Sequence, residues 1–83
     1  MNKQDMTLAP EFQLMVDSWE NGPYVARSLV RKFSGGMLNP KTMANLDSLG
    51  EGPERVKFGN RVYYPVVKLA EWAQNRAFGK LAA

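Results

Sequence analysis

Apolar residues recur along this chain in short stripes punctuated by glycine and proline, and each stripe predicts an element. Phe12, Met15, Val16 and Trp19 stand at i, i+3, i+4 and i+7, the spacing of one helical face. Pro10 suits a first-turn position and Asn21-Gly22-Pro23 is a stop, so the spacing predicts a helix over residues 10–20. Val25, Ala26, Leu29, Val30 and Phe33 again have helical spacing, with Gly35-Gly36 after them, and predict a second helix of about three turns. Asn39-Pro40 reads as an N-cap followed by proline at the first helical position: the Asn side chain accepts from a free backbone N–H, and proline has none to lose. A third helix is therefore expected from Pro40, with Met43, Leu46 and Leu49 inward and Gly50 in the left-handed C′ position.

The pattern then changes period. Val56, Phe58, Val62 and Tyr64 alternate with Arg55, Lys57, Arg61 and Tyr63, which predicts two half-buried strands, and Gly59-Asn60 fits the two-residue turn between them. On this reading the first set packs inward and Lys57, Arg61 and Tyr63 face solvent. Pro65 cannot extend the ladder, and Val66, Leu69, Ala70, Trp72 and Ala73 predict a last helix to Phe78, stopped by Gly79. The expected fold is mainly α with a small β-hairpin, ordered helix, helix, tight turn, helix, hairpin, helix. It makes a single domain over residues 10–78, with a flexible N-terminus at 1–9 and a flexible tail at 79–83.

Composition narrows the chemistry. A domain of 83 residues has little room for an enclosed active site. The absence of cysteine and histidine removes disulfides, thiolate chemistry and the usual transition-metal ligands. The acids are scattered and no glycine-rich phosphate loop appears, so neither an enzyme nor a cofactor or metal site is expected. No stretch approaches the roughly 20 apolar residues that span a bilayer, and the expectation is a cytoplasmic protein with no membrane partner.

Charge changes the picture further. Residues 1–23 hold one lysine against four acids, a net −3, whereas residues 24–83 hold ten Lys/Arg against four acids, a net +6. The basic body points to a polyanion, and the order of elements says which. Two helices joined by a short glycine turn, the second with a capped and polar first turn, is how a helix-turn-helix delivers side chains into a DNA major groove. Lys41, Thr42, Asn45 and Ser48 are then the candidate base contacts. Arg55, Lys57, Arg61 and Tyr63 on the hairpin, with Arg27 and Arg31 from the preceding helix, are the candidate phosphate contacts. Lys57 and Arg61 have another use as edge-strand charges that block aggregation. Asp47 sits awkwardly on a helix meant for DNA: it either accepts from cytosine or pairs with a nearby cation such as Lys41 or Arg55.

"LNPKTMANLDSLGEGP", "VKFGNRVYYP" and "LAEWA", in that order, resemble the small winged-helix proteins of phages and mobile elements: excisionases, or recombination directionality factors, and AlpA-type regulators. The resemblance spans about residues 25–78. Its fold is similar to the MerR DNA-binding domain, a winged helix-turn-helix. It implies that Asn39 to Thr42 opens the recognition helix, Gly50 to Pro53 leads to the wing, and Leu69 to Trp72 belongs to the closing helix. It also implies a partner integrase, self-association on DNA and a bacterial or phage-encoded source. "YVARSLVRKFSGG" departs from the family's alanine-rich first helix, and the acidic helix at 10–20 lies outside its core. An AlpA-type transcriptional regulator is the alternative within the fold, and a protein-interaction module the alternative outside it.

Overall fold

The computed structural model describes residues 8–82, with side chains described to residue 78. These residues form four α-helices and a three-stranded antiparallel sheet, and the architecture is mostly helical. Helix α1 runs Pro10–Ser18 and strand β1 Tyr24–Ala26. A 3-10 turn over Arg27–Leu29 leads into the short helix α2, Val30–Ser34. Helix α3 spans Pro40–Ser48, strands β2 and β3 span Val56–Phe58 and Arg61–Pro65, and helix α4 spans Val66–Ala82.

The largest departure from the sequence pattern lies at residues 24–29, where a strand and a 3-10 turn replace the first half of the predicted second helix. The cause is tertiary. Tyr24, Val25 and Ala26 pair with Pro65, Tyr64 and Tyr63, which makes β3 the central strand, and Val25 is fully buried. A three-residue strand buries the same valine that a helix would have buried, so spacing alone does not separate the two. Helix α2 is left with five residues and ends at Gly35, whose φ of 65° is the left-handed cap expected of the glycine pair.

Val25, Val30, Phe33, Met43, Tyr64, Val66, Leu69 and Ala70 form one buried cluster. Around it, α1 docks on α4 through Phe12, whose ring meets Phe78 edge to face at 5.6 Å. Trp19 packs edge-on against Phe33 at the same separation and donates its indole N–H to the Tyr24 carbonyl. The Ala9 N–H donates to Gln74 Oε1, and Leu8 packs against the core, so these two residues are tied down rather than part of a flexible N-terminus. The expectation for residues 1–7 lies outside the described residues.

Helix α4 also corrects the pattern: it passes through Gly79 and continues to Ala82. One internal glycine costs a helix only about 1 kcal/mol relative to alanine, and the α1 contact at Phe78 holds the helix one residue earlier. Among the described residues no helix is long and apolar enough to cross a membrane.

Candidate nucleic-acid interface

Helix α3 begins where the sequence places it. Asn39 is extended, at φ −140° and ψ 156°, and its Oδ1 accepts from the Thr42 N–H at 2.9 Å while Pro40 occupies the first helical position. Lys41, Asn45 and Ser48, at i, i+4 and i+7, form one exposed polar stripe, with Thr42 exposed at its margin. Ser48 turns its hydroxyl back to donate to the Asn45 carbonyl, whereas Lys41 and Asn45 are exposed at the start and middle of the helix. Met43 is buried as expected. Leu49 is not: it ends the helix 68% exposed, and the inward position expected for it is displaced by Asp47.

Asp47 is only 5% exposed and explains itself. Its Oδ2 accepts from the Tyr64 hydroxyl at 2.6 Å and from Arg27 Nη2 at 2.6 Å, and Arg27 Nε donates to the same hydroxyl at 3.0 Å. A closed triangle thus joins α3, the 3-10 turn and β3. Burial, reinforced by the bond to Asp47, pushes the Tyr64 hydroxyl up to about 12. Burial works to lower the Arg27 guanidinium, but its bonds to Tyr64 and Asp47 outweigh that and raise it. The other carboxylate oxygen, Oδ1, has no hydrogen-bond partner among the described residues and lies 3.8 Å from Arg55 Nη1. A Cβ at position 52 would collide with it, so Gly52 is the residue that allows the chain to pass over the carboxylate. The acid that sat awkwardly on a helix expected to face DNA therefore faces inward.

The hairpin has the predicted two-residue turn, with Gly59 at φ 63°, and Phe58 pairs with Arg61, Lys57 with Val62 and Val56 with Tyr63. That register reverses the expected faces of the first strand. Directly opposed residues share a face, so Val56 and Phe58 lie with Arg61 and Tyr63 on the outer face, and Lys57 lies with Val62 and Tyr64 on the other. Val56 and Phe58 are exposed rather than core. The cations Lys57 and Arg61 consequently straddle the ribbon from opposite faces, both exposed, with Tyr63 half-buried beside them.

The 3-10 turn, the N-terminus of α3 and the hairpin turn close around a cleft of about 340 Å³ lined by Arg27, Ser28, Pro40, Asn60 and Arg61 among others. Of the six expected phosphate contacts, Arg27 and Arg61 reach this cleft, Arg55 lies beside Asp47, and Lys57 and Tyr63 stay on the hairpin. Arg31 is exposed on α2. Ser28 and Asn60 are new to the set; Asn60 was legible as a turn residue, whereas nothing in the sequence places Ser28 near α3. Among the described residues no cluster of acids could hold a metal ion. Compared with known proteins, the chain matches no family model, no curated protein and no solved structure.

Proposed function

We propose that the chain is a sequence-specific double-stranded DNA-binding protein built as a winged helix-turn-helix. Helix α3 enters a major groove through Lys41, Thr42 and Asn45, and the β2–β3 hairpin is the wing. The observation that supports this most is the shared cleft: the N-terminal turn of α3 and the hairpin turn form two walls of one basic hollow. Bases read by the helix and phosphates flanking them are then met from one side of the molecule. Asn45 offers the amide that bonds adenine bidentately and Lys41 a donor for guanine. Arg61, Lys57 and Arg55 meet phosphates. The resemblance to excisionases adds the role: bending DNA to direct an integrase toward excision, with several copies side by side in the bacterial nucleoid. Action at a promoter, as in AlpA-type regulators, uses the same contacts.

Binding to a fluorescent random duplex and to fragments flanking its own gene, each across a salt series, tests this. A steep fall of log K with log salt is expected, with some fragments bound far more tightly. Lys41→Ala and Asn45→Ala should each cost about 1–3 kcal/mol on the preferred fragment, while Lys57→Ala and Arg61→Ala weaken all duplexes alike and flatten the salt slope. Equal binding by all four variants overturns the reading.

A further inference from the structure

Phe58 is the feature that a simple wing does not need. It is 78% exposed, more than any other large apolar residue described, and it occupies the last position before the hairpin turn. Arg61 stands directly across the ladder from it on the same face. Val56 and Tyr63, the next opposed pair on that face, stand directly behind the two. The strands and turn from Val56 to Pro65 carry two cations and no acid. The tip is therefore an apolar ring beside a guanidinium, backed by a second apolar pair.

We propose that Phe58 is an apolar wedge that enters the minor groove and partly unstacks one base step, with Arg61 beside it on a phosphate at the rim of that groove. This rests on the DNA-binding reading and deepens it, because it names the residue that bends the duplex. The physical case is complementarity. A minor groove about 6 Å wide accepts the edge of one ring, its negative potential draws an arginine to its rim, and apolar side chains enter it by wedging between base steps. An exposed phenylalanine beside one guanidinium suits that environment, whereas water around the ring offers nothing. The hairpin turn also lies beside the α3 N-terminus, so a wedge at its tip reaches the groove next to the bases that α3 reads. Flexible pyrimidine–purine steps at that distance should be preferred, since they unstack most easily.

The test uses the preferred fragment with 2-aminopurine placed at successive steps beside the α3 site and a fluorophore pair at its ends. The wild-type chain should raise 2-aminopurine emission at one step and bring the ends together. Phe58→Ala should lose both effects and bind about 10-fold more weakly, with the salt slope unchanged because no phosphate contact is removed. Phe58→Leu should keep most of the bend. The ring is exposed, so both variants should melt like the wild type. Tight binding by the wild type with no rise in emission and no approach of the ends overturns the wedge and leaves the DNA reading intact. So does a Phe58→Ala variant that behaves as the wild type; the exposed face then belongs to a protein partner. No binding by the wild type even at low salt overturns both.

Discussion

The two ends of this small domain are held together by different physics. At one end α1 meets α4 and α2 through rings, Phe12 on Phe78 and Trp19 on Phe33. At the other, α3 is joined to the 3-10 turn and β3 by the Asp47, Tyr64 and Arg27 triangle. Ring packing gains free energy from area and tolerates small shifts of one element over another. A triangle of directed bonds fixes an angle, because a rotation of α3 breaks both bonds to Asp47 at once. Ring packing around α1 thus adds stability, and the bonds at Asp47 supply the aim of the helix proposed to read DNA.

Three substitutions sharpen that contrast. Phe12→Ala should have the largest effect on stability, about 3 kcal/mol or more in urea denaturation, through lost burial and the cavity left against α4. Variants that still fold should keep their DNA preference; a changed preference would mean that α1 also helps to aim α3. Asp47→Asn should cost less, about 2 kcal/mol, because it leaves the half-buried Arg27 without its charge partner. Unlike Phe12→Ala, it should reduce discrimination between fragments more than it reduces the salt slope. Tyr64→Phe should be mildest at neutral pH, about 1 kcal/mol, and its signature lies at high pH. A hydroxyl raised to about 12 in the folded chain, from 10.0 in the unfolded one, favours folding below 10 and loses that contribution as pH rises through 12. Wild-type stability should therefore fall between those values more steeply than that of Tyr64→Phe.

Much of this was legible in the chain. Asn39-Pro40 fixed the start of α3, Gly59-Asn60 the hairpin turn, and the 12, 15, 16, 19 stripe helix α1, because each rests on local backbone chemistry. What was not legible depended on partners distant in sequence. Residues 24–26 joined the sheet only because β3 was there to pair with them, and no local signal announces that. Asp47 was expected to accept from cytosine or to pair with Lys41 or Arg55; Arg55 does lie 3.8 Å from it, but its hydrogen-bond partners, Arg27 and Tyr64, lie on elements that no local signal brings near. The faces of the first hairpin strand are a different matter. A two-residue turn pairs residue 58 with residue 61, so even positions before the turn must share a face with odd positions after it. The turn and the alternation were both visible, and together they already ruled out a face shared by Phe58 and Tyr64.

The pairing of β1 with β3 has a kinetic meaning as well. The hairpin can zip from its own turn in microseconds, and α3 has its own cap, but Tyr24 must wait for Pro65 before the sheet closes. During synthesis, the segment that carries Arg27 leaves the ribosome well before Tyr64, the hydroxyl that orients it. A nascent chain that already displays α3 therefore lacks the bonded triangle that fixes that helix's direction. The surface proposed to bind DNA is completed late, when the C-terminal half arrives to close the sheet over Val25.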